Sequence, residues 1–344
     1  MGTRRNFLRD AALGLGIVAC GGAWAQRADT VTYVGVETSA RGVSILRFFD
    51  ESGGTLGRTP LDFRAHGMAE HGNRLIAFPR RPGDRFAVMD KTSLEILGVE
   101  VAPAERHFYG HGAFSRDGKH LIVPENAMTT LQGALAVYET APQIRRLATV
   151  ALPGAGPHEI IRAHDRDLFY IALGGLETHP AYGRDPLNLG DFRSQILTFD
   201  LTSGDVLQMG LWPGSEGVSL RHLAAAADGR LYVGGQIPGD GTGAVMWHIK
   251  DGQAAQIDGE ARLGGYVSSV AADGNKARFT SKVTGAVLTL QDGSIIDAAS
   301  LEGASAVAMH GGRTVTAGFQ LLKLDDAAAT VTDGHEFDNH GILF

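Results

Sequence analysis

One cysteine in 344 residues, 12 prolines and no long run of strongly apolar residues set the first limits on this chain. A single thiol forms no intrachain disulfide and builds no Cys-rich zinc site, so disulfide-stapled and zinc-finger architectures are excluded. Basic residues are the minority, 31 against 38 acidic, and the net charge of −7 gives no cationic footprint for nucleic acid. No Gly-x-Gly-x-x-Gly turn or P-loop is present, which removes the usual nucleotide cofactors, and no Gly-x-Ser-x-Gly elbow supports a serine hydrolase. A 3.6-residue period is not sustained anywhere beyond the N-terminus, so helical folds have little to stand on. With 44% hydrophobic residues, disorder is excluded as well.

Glycine is what the chain has in plenty, 47 residues, which allows many sharp turns without Cβ strain and favours many short strands. The N-terminus is set aside before fold reasoning. Thr3-Arg4-Arg5-Asn6-Phe7-Leu8-Arg9 precedes a mildly apolar run from Ala11 to Ala19 and reads as a twin-arginine export signal over residues 1–25. That run is too short and too rich in Gly and Ala for a membrane span, which needs about 20 apolar residues. Ala23-Trp24-Ala25 is an A-x-A cleavage site and is preferred to the other exit, lipidation of Cys20 after Ile17-Val18-Ala19. Removal of the signal takes three Arg, one Asp and Cys20, leaving residues 26–344 at −9 and without cysteine. The expected location is the periplasm.

Residues 26–344 carry a recurring unit: an apolar strand, a tight turn, a second strand, a loop and two further strand-like runs. The turns are Gly72-Asn73, Asp117-Gly118, Asp165-Arg166-Asp167, Asp228-Gly229, Asp273-Gly274 and Gly311-Gly312. Alternating strands such as Leu75-Ile76-Ala77-Phe78 and Leu231-Tyr232-Val233 follow them. Four short strands per repeat is the pattern of a propeller blade. With the first run, Val31 to Asp50, the units number seven, and the reading is one all-β, seven-bladed β-propeller with four antiparallel strands per blade. The rival, two packed β-sandwiches, would need a linker that the sequence does not show.

This architecture places the polar residues. Residues at the start of each innermost strand and residues in the loop between second and third strands share one face of the central channel. Counting back seven residues from Gly118, Asp165 and Gly229 gives His111, His158 and His222, and six from Gly72 gives His66. Four consecutive blades therefore put a histidine in one slot, whereas Val267-Ser268 and Ala304-Ser305 fill it in the sixth and seventh. The loops add Arg80, Arg81, Glu125, Gln236 and Lys282, and the longest, Gly174 to Arg193, adds His179 and Arg184. The metal-ligand candidates are His66, His111, His158, His222, His179 and Glu125. Neutral imidazoles with a carboxylate suit iron, copper or zinc and not the all-oxygen shells of calcium or magnesium. Two other uses of this face stand beside it. Each histidine could cap a backbone group at a strand start, and Arg80, Arg106, Arg184 and Arg221 with protonatable histidines could hold a carboxylate or phosphate.

Several segments, in order, then carry a family resemblance: Arg106-His107-Phe108-Tyr109-Gly110-His111-Gly112, Gly156-Pro157-His158-Glu159, Gly174-Gly175-Leu176-Glu177-Thr178-His179-Pro180, Gly183-Arg184, Leu187-Asn188-Leu189, Leu220-Arg221-His222-Leu223, Gly265-Tyr266-Val267-Ser268-Ser269 and Asp338-Asn339-His340. The chain resembles the bacterial family called domain of unknown function 1513. The resemblance covers nearly all of the mature chain and implies a twin-arginine-exported periplasmic propeller of the YVTN or quinoprotein-amine-dehydrogenase-like kind. It also implies a genetic neighbourhood of imelysin-like and haem-bearing oxidoreductase-like proteins, hence iron handling. At Ser281-Lys282-Val283 the family pattern is a Ser-Pro-Arg-Gly run, so Lys282 stands where an arginine is usual. The functional expectation is a monomeric binding or accessory protein holding iron first and copper second, with an imelysin-like partner and no nucleic acid. Ligand residues are expected among Arg80, Arg106, Arg184, Arg221, Gln236, His107 and His340. An enzyme at the same face, either a lactonase-like metal hydrolase or an oxidoreductase, and a scaffold with no small ligand are the alternatives. The export reading predicts that replacing both Arg4 and Arg5 by Lys strands the precursor in the cytoplasm; cell fractionation that still finds mature protein in the periplasm contradicts it.

Overall fold

The structure, a computed structural model, describes residues 31–39, 43–209, 215–239, 243, 245–325, 327–330 and 335–344. The expected signal over 1–25, with Arg4, Arg5 and Cys20, lies outside them.

Each repeat folds as a small antiparallel sheet because its strands alternate apolar and polar residues and are joined by turns that demand positive φ. Gly72 and Gly118, at φ of 58° and 69°, make two of those turns between first and second strands. Seven such sheets form a ring, so the expected seven-bladed propeller is the fold. From the channel outward, blade 1 orders His335–Leu343, Tyr33–Ser39, Ser44–Phe49 and Thr55–Leu61. Blades 2 to 7 follow in chain order, each from an inner to an outer strand. Their innermost strands are Ala65–His71, the split pair Arg106–Phe108 and Ala113–Phe114, Pro157–Arg162, Ser219–Ala225, Ser269–Asp273 and Ala306–His310.

The core lies between blades. Phe78, Phe86, Phe108 and Tyr138 are fully buried and interlock between blades 2 and 3, with ring centroids 5.2–5.6 Å apart along the chain of contacts. Fully burying one such side chain is worth about 1.5–3 kcal/mol, so these interfaces supply most of the ring's cohesion. Outermost strands such as Ile96–Val101 are exposed and contribute little.

Five of the seven innermost strands are irregular. In blade 2 the ladder shifts register between Ala65 and Met68, in blade 4 between Pro157 and Glu159, and in blade 5 between Leu220 and His222. In blade 3 the strand breaks outright between Phe108 and Ala113. In blade 1 it slips between Phe337 and Gly341, opposite the shift between Gly35 and Glu37. Blades 6 and 7 pair without a shift. Every irregular strand carries a histidine at its irregularity, and the two regular ones carry serine there. A bulge inserts an unpaired residue and re-aims its neighbours, which is how backbone that should run straight past the channel turns side chains into it.

Closure joins the two ends of the chain. Tyr33, Val34 and Gly35 pair with Leu343, Ile342 and Gly341. Contact is close, since a Cβ at Gly341 would collide with the Tyr33 phenol. Deleting Val31 to Gly35 exposes both the innermost strand and the Ser44–Phe49 edge. A single cooperative melt shifted down by 10 °C or more, or loss of soluble protein, is expected in thermal denaturation; an unchanged Tm contradicts closure by this pairing.

Candidate metal centre

Five bulged strands converge on one point. The imidazoles of His66, His111, His158, His222 and His340 form a cluster whose ring centroids stand 4.6–6.4 Å apart. Four of them are between 1% and 6% exposed. Glycines make room for the rings: a Cβ at Gly67 would lie 2.8 Å from His111 Nδ1, and one at Gly110 2.9 Å from His66 Cδ2. The Gly67 N–H donates to the Gly110 carbonyl at 3.0 Å, tying the two bulges together across blades 2 and 3.

Two carboxylates serve the cluster. Asp338 Oδ1 lies 3.4 Å from His66 Nδ1. Glu159 stands between two rings, its Oε2 3.2 Å from His222 Nδ1 and its Oε1 3.6 Å from His111 Nδ1, and its Oε2 also accepts from the Leu223 N–H at 3.0 Å. Engaging Nδ1 leaves Nε2 as the remaining nitrogen of His66 and His222, the arrangement by which carboxyl groups orient imidazole ligands. The Nε2 atoms of His111 and His340 are buried with no hydrogen-bond partner. Such orphaned nitrogens are rare in folded proteins and call for a ligand. Two overlapping groups bring ligand atoms within 4.8 Å of one another, His66-His111-His340 and Glu159-His222-His340, and His340 belongs to both.

Burial governs the charge. Desolvation pushes His111, His158, His222 and His340 well below the ordinary imidazole value, aided by neighbouring histidines or by Arg221, and lowers His66 despite its bond to Asp338. Burial raises the Glu159 carboxyl to about 8. Burial would raise Asp338 too, but its hydrogen bond to His66 and the nearby Arg80 outweigh that and hold it well below the usual carboxylate range. At neutral pH the imidazoles are unprotonated, the form that binds metal.

The other expected site residues divide. Glu125 does not join the ring, although sequence placed it there: it is fully buried on the far side of its strand, held bidentately by Arg146 at 2.6 and 2.9 Å and paired with Arg106 at 3.0 Å. Arg106 is thereby committed to an internal ion pair and not to a ligand. His179 also stays out. Its Nδ1 caps the turn Pro180–Tyr182, accepting from the Ala181 N–H at 3.1 Å, and its ring packs near Tyr182. His107 lies one layer out, stacked on Tyr109 at 5.8 Å, with burial driving it down to about 4. Arg80, Arg184, Arg221 and Gln236 do gather, lining a cavity beside His66 and His158. His340 was expected only as a general ligand residue and proves to be the centre of the cluster, while Glu159 and Asp338 were quoted in motifs without being assigned.

Comparisons with known proteins bear on the fold and the family. A family model described as "Protein of unknown function (DUF1513)" matches residues 59–344. No curated protein matches the chain in sequence. Among solved structures, the chain is similar to hydrazine synthase of Kuenenia stuttgartiensis, with a TM-score of 0.63 at 14% identity over 89% of this chain and 96% of that one. It is also similar to a functionally unknown protein from Desulfotomaculum acetoxidans, with a TM-score of 0.64 at 10% identity over 91% and 99%. Identities this low speak for the shared propeller alone.

The buried neutral histidines give the metal-free protein a definite pH response. Their folded-state values lie below the unfolded value near 6.5, so the unfolded chain binds more protons and stability is lost as pH falls below 6.5. Glu159 acts in the opposite sense: its folded value of about 8 exceeds the ordinary 4.5, so its contribution is present at low pH and lost as pH rises through 8. Four strongly depressed imidazoles outweigh one carboxyl on the acid side. Tm should therefore peak near neutrality and fall as pH drops from 6.5 to 5.5. His158→Gln should flatten the acid limb; melts with an unchanged slope would show that His158 is not held neutral.

Proposed function

The chain belongs to the DUF1513 family, and for this member of it we propose a transition-metal centre at the waist of the propeller channel, in a binding or accessory protein of the cell envelope. The observation that carries the reading is the convergence of five imidazoles, four of them buried and two with orphaned Nε2 atoms, on a spot served by the carboxyl groups of Asp338 and Glu159. Backbone capping, the other use of strand-start histidines, does not account for orphaned ring nitrogens. His66, His111 and His340 are the proposed ligands, with His222 and His158 beside them and Asp338 and Glu159 orienting the rings. Imidazole-rich sites of this kind take iron, copper or zinc, and the iron-handling company implied by the family resemblance puts iron first and copper second. Export by the twin-arginine route belongs to the same proposal, since that route carries folded proteins and a buried metal needs a folded ring.

Equilibrium dialysis of the purified full chain against Fe(II), Cu(II) and Zn(II) at neutral pH, with metal counted by elemental analysis, tests the reading. One bound ion is expected, with loss by at least a hundredfold in affinity for the His111→Ala, His340→Ala double variant. Glu159→Gln should weaken binding by about 10–100-fold, the usual cost of removing a group that orients a ligand. His71→Ala and His164→Ala, both exposed at the opposite end of the channel, should leave it unchanged. Equal binding by wild type and double variant sinks the proposal.

A further inference from the structure

The cavity beside His66 and His158 has a charge that its own residues do not balance. It is about 280 Å³ in volume and is lined by Arg80, Arg81, Arg184, Arg221 and Lys282, with no carboxylate in its wall. These cations come from four blades: the loop after Arg74–Pro79, the long loop of blade 4, the bulge of blade 5 and the loop after Lys276–Ser281. Asp338 is the one acid at its edge, 3.9 Å from Arg80, and it is already shared with Arg64 and His66. Among the described residues Arg81, Arg184, Arg221 and Lys282 have no ion-pair partner. Arg81 is only 9% exposed, packed over the Tyr109 ring at 5.1 Å. The Arg221 Nε is buried and makes no hydrogen bond. Burial and mutual repulsion with Arg81 bring Arg221 down to about 9, and burial brings Arg80 to about 10, so both remain charged at neutral pH and at a cost. Arg80, Arg221 and Lys282 are half-buried and Arg184 is exposed, and folded proteins seldom gather this many cations around one cavity without an anion.

We propose that this cavity binds a small polycarboxylate, held by the guanidinium groups of Arg80, Arg81, Arg184 and Arg221 and the ammonium of Lys282. Planar guanidinium forks match carboxylates bidentately, and cations on four sides of the cavity suit two or three carboxylates better than one. The volume, room for roughly nine waters at the density of the liquid, exceeds what a lone inorganic phosphate fills. Gln236 and the Tyr266 and Asn339 side chains in the same wall can hydrogen-bond a hydroxyl on such a ligand. The holding of the anion rests on residues other than the proposed metal ligands and stands without that reading.

Calorimetric titration of the purified, metal-free full chain at neutral pH and low chloride, with citrate, succinate, acetate and inorganic phosphate, separates the two. Citrate and succinate should bind at least tenfold more tightly than acetate or phosphate. Arg221→Gln, and Arg184→Gln at an exposed position of the long blade 4 loop, should each weaken citrate at least tenfold, and Arg184→Gln should leave metal binding in dialysis unchanged. His111→Ala should keep citrate binding whatever it does to metal. Phosphate binding as tightly as citrate, no heat with any of the four anions, or full citrate affinity in both arginine variants overturns the proposal.

Discussion

Everything at the centre of this molecule depends on the antiparallel pairing of its two ends. His335–Leu343 enters blade 1 as the innermost strand, against Tyr33–Ser39, and without it the ring has a gap on its channel side. The same strand brings Asp338 and His340 to the imidazole cluster, so one set of backbone hydrogen bonds both completes the sheet and completes the site. Tyr33, buried against Gly341, and Phe337, packed on Phe49 at 6.0 Å, anchor that strand on either side of its bulge. Packing there fixes where the histidine stands.

A division of labour follows among the blades. Five accept an irregular inner strand and contribute a histidine; two keep a regular ladder and contribute Ser268 and Ser305, whose hydroxyls are spent on neighbouring backbone groups. A bulge sacrifices ladder hydrogen bonds, and the five on the inner strands lie beside the channel, where unpaired backbone can be served by facing blades, as Gly67 is by Gly110. Outer ladders shift as well, at Phe48–Phe49, Val88–Met89, Val137–Tyr138 and Thr289–Leu290, but those shifts carry no histidine.

The fold was legible in the sequence because its signals are periodic: glycine-bearing turns at each blade and alternating apolar strands after them. Four of the five histidines were legible for the same reason, each lying a fixed count before a turn. His340 was legible only as a general ligand residue and not as a member of the ring, because its strand has no following turn to count from; its sheet partner, Tyr33–Ser39, lies some three hundred residues earlier. Glu159 was hidden by the rule of alternation, which puts neighbours of a strand on opposite faces, and only the bulge at His158 lets both serve one cluster. Glu125 misled in the opposite way. Its position in the strand sequence resembled a loop tip, but its strand runs on to Ala127 and aims it at Arg146, a partner 21 residues away that spacing alone does not reveal.

Because residues 335–344 close the ring, the order of synthesis matters to its centre. A chain translated only as far as blade 7 lacks both the strand that seals the ring and His340, the histidine common to both groups of facing ligand atoms. The five-imidazole cluster is therefore completed only after every blade has been made, and a complete cluster reports a closed ring.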